Sequence, residues 1–281
     1  MQICEHEIPS GSKLYFGKSA KLKRKIEQSA SEILEHNGFN EIITPFFSYH
    51  QSMSVNSSKL LRLSDEKNDE LALRSDSTID VVRIITRRLK EQEIKKWFYI
   101  QPVFFYPSSE VYQIGAEILD SSKLDLCAKI SHELLKSFKV DAVLQISNMQ
   151  IPYLLCELLD LKMSVFEQGR LELLLGLNIS WLSTLAKAST KSDIENLLDL
   201  VPKELKKALQ DMLDLGSNFS EQNIAFAPVY YSKMRYYDRL FFRFIKDNYI
   251  LASGGLYQID ERNCAGFAVH CDNVIEILQE L

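Results

Sequence analysis

The chain has 281 residues, 46% of them hydrophobic and 25% charged, with a formal net charge of −5. Those values describe a globular chain with one large core, or one core and a smaller companion, and argue against a disordered tail, a collagen-like repeat or a general nucleic-acid binder. No apolar run approaches a signal peptide or a membrane span, and five scattered cysteines without a CxxC pair argue against a disulfide framework or zinc site, so a cytoplasmic location is expected.

Leu22, Ile26, Ala30, Ile33 and Leu34 recur at spacings of three and four and predict a helix over 18–37, with Gly38 as its left-handed terminal residue. FNEIITPFF follows as a short strand that Pro45 ends or confines to a sheet edge. After the polar stretch 52–70, LALRSDST reads as a strand and then a capping cluster, Asp76, Ser77 and Thr78, ahead of the helical run IDVVRIITRRL. KKWFYIQPVFFY and VYQIGAEIL are strand-like runs joined at 107–110 as a hairpin. Helices are predicted over 121–138 and 148–160 with a strand over 140–146 between them, and 164–215 is helical and Leu-rich without a strand signal. Strands are predicted over 233–245, 249–252 and 264–270; Gly254-Gly255 offers positive-φ freedom, and Asp272 is placed to cap the closing helix NVIEILQEL.

Strands, then helices, then strands predict an α+β fold: an antiparallel sheet flanked by helices, with a discontinuous core domain (1–160 and 225–281) and a helical insertion (161–224). No GxGxxG, Walker or HExxH pattern occurs. Several polar residues have ordinary explanations. Asp76 and Thr78 suit a helix cap. Gln113 and Glu117, four apart on a strand, share one face, solvated or pocket-lining. Tyr236 and Tyr237 suit core packing, with only one of the two on a given face of a strand. His270 and Cys271 lack a third partner and read as a core strand end. The basic runs at 21–25 and 85–90 read as solvated helix faces.

Four blocks, in order, resemble the catalytic core of class II aminoacyl-tRNA synthetases, and most of all histidyl-tRNA synthetase. The helix at 18–37 with GFNEIITPFF is similar to motif 1, the helix–strand–Pro unit of the dimer interface. LALRSDST resembles the stretch whose acidic and Thr side chains contact bound histidine, and the hairpin ending in QIGAEIL resembles motif 2 with its Q-[IF]-G-x-E tail. MRYYDRLFFRF, SGGLY and AGFAVHCDNVIEIL resemble the histidine-specific DYY strand, the GGRYD loop and motif 3. The resemblance implies a histidine site formed by Asp76, Thr78, Gln113, Glu117, Tyr236, Tyr237 and Tyr257.

The departures concern arginines. The family's FRxE segment reads Phe104-Phe105-Tyr106-Pro107 here, its GLER reads His270-Cys271-Asp272-Asn273, and the Arg before the DYY strand corresponds to Ser232, with Lys233 beside it. Losing one preorganised cation around a developing pentavalent phosphate costs roughly 3–4 kcal/mol of barrier, so three such losses argue against amino-acid activation. Arg74 and Lys233 are the candidates left to hold a ligand carboxylate.

The resemblance thus implies a paralogue with no catalytic residues, cofactor or metal of its own. Among paralogues without an anticodon-binding domain, it is similar to the regulatory subunits of ATP phosphoribosyltransferase. That family joins a short-form catalytic subunit in a hetero-oligomer at the first step of histidine biosynthesis, and is needed for activity and for feedback inhibition by histidine. Expected partners are that catalytic subunit, a second copy through the motif 1-like face, and histidine as effector. Neither tRNA nor a membrane is expected, because the sequence is acidic and stops after the motif 3-like helix, where a synthetase continues into its anticodon-binding domain. The alternative is a free-standing paralogue that binds or activates an amino acid.

Overall fold

A computed structural model describes residues 7–232, 234 and 236–280. Helix α1 (Gly17–His36) buries Ile26, Ala30 and Leu34 and is closed by Gly38 at φ 79°. It leads into the two-residue strand β1 (Asn40–Glu41), then β2 (Phe47–Ser48), β3 (Arg62–Ser64) and β4 (Glu70–Leu73), the last three forming a small sheet in the order β2-β4-β3. Helix α2 (Thr78–Arg83) runs on into a π-helical turn, and the hairpin β5 (Lys96–Phe105) and β6 (Ser109–Ile118) follows. Next come α3 (Leu124–Ser137), β7 (Val143–Asn148) and α4 (Gln150–Leu159).

 The helices α5 (Ser164–Glu167), α6 (Leu171–Gly176), α7 (Ser180–Lys187), α8 (Lys191–Leu200) and α9 (Lys203–Gly216) come next. The chain then returns to strands β8 (Ile224–Phe226), β9 (Tyr237–Lys246), β10 (Tyr249–Ile259) and β11 (Arg262–His270), and closes on α10 (Cys271–Glu280).

Among the described residues the main sheet has eight strands in the order β1-β5-β6-β11-β10-β9-β7-β8. The six central strands pair antiparallel, whereas the edge strands β1 and β8 each pair in parallel, so the expected antiparallel sheet is a mixed one. Pro45 follows the edge strand β1, where its missing N–H costs no ladder bond. The short β8 lies just past the helical stretch, where three residues carry too little periodicity to be read as a strand.

Alternation along the strands separates two faces. Ile114, Ala116 and Ile118 of β6, Phe242 and Phe244 of β9, and Ala265, Phe267 and Val269 of β11 are buried under α1, α3 and α10. Leu174, Leu182, Leu197 and Leu209 of the helical stretch join that same apolar cluster. The opposite face is covered only in part. There α2 and its continuation pack Ile79, Val82 and Ile85 against Trp97, Tyr99 and Tyr257. Ser253 and Ala268 pair across β10 and β11 on this face and leave a patch of it open, whereas the rings of Tyr99 and Tyr237 and the Glu117 carboxyl fill the space over Gly115, Gly255 and Gly266.

Gly254 and Gly255 lie inside β10 and neither has positive φ, contrary to the expected use of their positive-φ freedom. Their reason is close approach: a Cβ on Gly255 would lie 2.6 Å from the Tyr237 ring, and one on Gly254 2.5 Å from the Gly266 carbonyl oxygen. Asp272 lies within the first turn of α10 and does not cap it. Its carboxylate accepts the Tyr112 N–H at 2.9 Å and the Tyr15 hydroxyl, fastening β6 and the entry to α1.

Arg74, just past β4, is fully buried. Its guanidinium donates to the carbonyls of Pro102, Thr44 and Pro45 at 2.7–3.0 Å and to Thr44 Oγ1 at 2.9 Å. Burial lowers its pKa to about 10, which leaves it cationic at neutral pH. Arg74 therefore holds the segment after β1 to β5 and has no edge to offer a ligand. Arg74→Met leaves several buried carbonyls unpaired and is expected to lower the unfolding free energy by about 3 kcal/mol or more in urea titrations. A loss below about 1 kcal/mol, the worth of one ordinary hydrogen bond, would contradict this role.

Candidate ligand cavity

The open patch at Ser253 and Ala268 faces a cavity of about 720 Å³, lined by Asp76, Thr78, Gln113, Tyr236 and Tyr237 among others. Glu117 and Tyr257 lie one layer deeper, 1% and 0% exposed. The seven residues singled out from the sequence thus converge, five on the wall and two beneath it. Lys233 lies outside the described residues.

Glu117 is the centre of the inner layer. Written as a carboxylate, it accepts from Tyr257 OH at 2.6 Å, Thr78 Oγ1 at 2.8 Å and Tyr99 OH at 3.3 Å. Burial nevertheless pushes its pKa up to about 8, with the Asp76 charge adding to the rise and the hydroxyls opposing it. At neutral pH the protonated form is favoured, and Glu117 then donates one of these bonds. Gly266, its cross-strand neighbour, leaves room for the carboxyl: a Cβ there would lie 1.8 Å from Glu117 Oε2.

Asp76 combines two roles. Its Oδ1 accepts the Ile79 N–H at 3.4 Å, a weak capping bond, while its Oδ2 receives Tyr236 OH at 3.1 Å. Burial raises its pKa to about 6. The Thr78 hydroxyl turns away from the helix terminus and onto Glu117. Both tyrosines of the Tyr236–Tyr237 pair reach the cavity, because β9 begins only at Tyr237 and strand alternation does not bind its predecessor. Their rings lie 4.6 Å apart, and Tyr236 meets Tyr257 at 5.4 Å.

Two supporting residues carry no readable pattern in the sequence. Gln51 accepts the backbone N–H of Ser75 at 2.7 Å and of Asp76 at 2.8 Å, and donates to the Asp76 carbonyl at 3.0 Å, so it sets the loop that presents Asp76. Tyr99 lies across from Gly115 and leans over it, where a Cβ would come 2.2 Å from the ring. His270 ends β11 beside the cavity, and burial keeps its imidazole neutral, with a pKa of about 4.

The family described as histidyl-tRNA synthetase matches residues 16–274. A Wolinella succinogenes protein named ATP phosphoribosyltransferase regulatory subunit is 45% identical over 276 residues, covering 98% of this chain and 96% of the relative. Within the histidyl-tRNA synthetase family, the chain belongs to the ATP phosphoribosyltransferase regulatory subunits. A regulatory subunit of the same name from Helicobacter hepaticus is 39% identical over 279 residues, 98% of this chain and 99% of that protein. The fold of this chain matches a Bacillus halodurans crystal structure titled as an ATP phosphoribosyltransferase regulatory subunit/histidyl-tRNA synthetase, with a TM-score of 0.87 at 21% identity over 99% of this chain and 84% of that one. A histidine–tRNA ligase subunit from Alicyclobacillus acidocaldarius matches with a TM-score of 0.81 at 19% identity, over 100% of this chain and 99% of that one.

The raised carboxyl pKa values carry a pH signature. An acid held protonated by the fold contributes stability that is present below its unfolded pKa and lost as pH rises through its folded one. For Glu117 that window runs from about 4.5 to about 8. In thermal melts between pH 5 and 8, Glu117→Gln is expected to flatten the decline seen in the unmodified protein. Parallel curves would show that Glu117 is ionised throughout.

Proposed function

We propose that this chain is a non-catalytic regulatory subunit that binds histidine in the cavity and transmits its occupancy to a short-form ATP phosphoribosyltransferase. The observation that carries the proposal is the buried cluster of Glu117, Thr78, Tyr99 and Tyr257 beside Asp76 and Tyr236. Two carboxyl groups, phenolic hydroxyls and the Gln113 amide suit an ammonium and an imidazole N–H. The names of the Wolinella and Helicobacter relatives support the same partner.

Amino-acid activation finds no support around this cavity. Phe105, Ser232 and Asn273 stand at the three positions where the family resemblance expects arginines, and Arg74 is spent on backbone carbonyls. A pocket that binds an amino acid without activating it acts as a sensor, provided histidine binds two quaternary states unequally. Ile43, Phe46, Phe47 and Tyr49, each more than half exposed, support self-association through the motif 1-like face. The helical stretch 161–224 is read as an insertion within the core of 1–160 and 225–281, beside the cavity-bearing sheet.

Reconstitution with a short-form phosphoribosyltransferase tests the proposal. The pair is expected to be active and inhibited by histidine. Asp76→Asn is expected to raise the histidine concentration for half-inhibition by about tenfold or more, the worth of one charge-assisted hydrogen bond. Inhibition that is absent, or indifferent to the substitution, would refute the cavity as the sensing site.

A further inference from the structure

The cavity has a second charged end that histidine recognition leaves without a role. Arg243 lies on β9, in register with Gln145 of β7 on one side and Ser253 of β10 on the other. Gln145 Oε1 accepts from its Nε at 3.1 Å and also from Nη2, and the guanidinium carbon lies 3.9 Å from the centroid of the Tyr230 ring. These contacts fix the plane of the guanidinium. They use the Nε side and leave the Nη1 end without a hydrogen bond among the described residues.

Arg243 is also partly buried and, among the described residues, has no carboxylate in an ion pair with it. A cation removed from water without a counter-ion is unfavourable, and a fixed guanidinium with a free end matches the two oxygens of a carboxylate or phosphate. Arg243, Ser253 and Ala268 all line the cavity, and the small side chains of Ser253 and Ala268 beside the guanidinium leave the approach open.

The acidic end lies apart from Arg243. Arg243, Ser253, Ala268 and Gly115 are consecutive cross-strand partners, so Arg243 on β9 and the backbone of β6, which carries Glu117, lie three strand spacings apart, about 14 Å at about 4.8 Å each. A row of rings along β9 separates Arg243 from Asp76. Tyr230 stacks on Phe241 at 5.7 Å, Phe241 meets Tyr237 at 4.9 Å, and Tyr237 meets Tyr236, whose hydroxyl reaches Asp76.

We propose that the Arg243 end of the cavity is a separate oxyanion subsite, which takes the carboxylate or phosphate group of a small molecule while histidine occupies the acidic end. The subsite itself rests on Arg243 and Tyr230; only the occupant of the other end rests on the function proposed above.

Calorimetric titration of the full chain in phosphate-free buffer, with inorganic phosphate and separately with acetate, tests this. At least one anion is expected to bind equally well with and without saturating histidine; phosphate alone points to a phosphorylated ligand, acetate alone to a carboxylate. Arg243→Gln is expected to weaken that anion by about tenfold or more, with Arg243→Lys in between, because it keeps the charge but loses the fork. Histidine affinity is expected to change less than about twofold in either variant, within the scatter expected for a distant independent site. Melting curves without ligand establish that each variant is folded. The subsite is refuted if neither anion binds, if binding survives Arg243→Gln, or if histidine displaces the anion, which would make Arg243 the receptor of histidine's own carboxylate. An anion that binds a chain to which histidine does not would leave the subsite standing and remove the histidine reading.

Discussion

Burial of the Glu117 carboxyl is the constraint on which the rest of the cavity depends. A carboxyl group with 1% exposure is costly in apolar surroundings unless hydroxyls surround it, and here Tyr257, Thr78 and Tyr99 do so from three different elements. Each of those hydroxyls fixes the element that carries it: β10 through Tyr257, α2 through Thr78 and β5 through Tyr99. The missing side chain at Gly266 belongs to the same arrangement, since the carboxyl occupies the space a Cβ would need. The cavity is therefore preorganised from below, before any ligand enters.

The loop carrying Asp76 is held with similar economy of motion. Gln51 grips its backbone from one side, while Arg74 fastens the preceding residues to β5 through buried carbonyls. Rigid presentation of acceptors suits recognition of a small polar ligand, because little ordering remains to be done on binding. It also explains why Arg74 is no substitute for a phosphate-binding arginine: its donors are already committed to the fold. In a regulatory subunit, recognition without chemistry is the useful property, and the charge distribution around this cavity agrees with it.

Much of this was legible in the sequence where periodicity or composition speaks locally. The helix over 18–37 and the hairpin around 107–110 agree with α1 and β5–β6 because three- and four-residue spacing and alternation report burial directly. The even spacing of Gln113 and Glu117 placed them on one face, though not their different depths, which depend on Tyr257 and α2 lying over Glu117. Other features needed the third dimension. A pair of glycines in sequence signals either conformational freedom or close approach, and only the register of β9, β10 and β11 shows that Gly254-Gly255 is the second case. The alternation rule failed at Tyr236 because a strand boundary falls between it and Tyr237. In the sequence Arg74 is a candidate for a ligand carboxylate, but the carbonyls of Thr44, Pro45 and Pro102 converge on it in the fold, and no sequence pattern sets Arg243 apart.

The central claim is that this synthetase-like cavity receives histidine and does not activate it. Histidine-dependent ATP–pyrophosphate exchange, measured on a sample whose histidine occupancy is established by calorimetry, tests it most directly. A saturated cavity with exchange no faster than in the absence of protein is the expected result. Exchange that rises with histidine occupancy would contradict the account, because the cavity would then activate histidine without arginines at the positions of Phe105, Ser232 and Asn273.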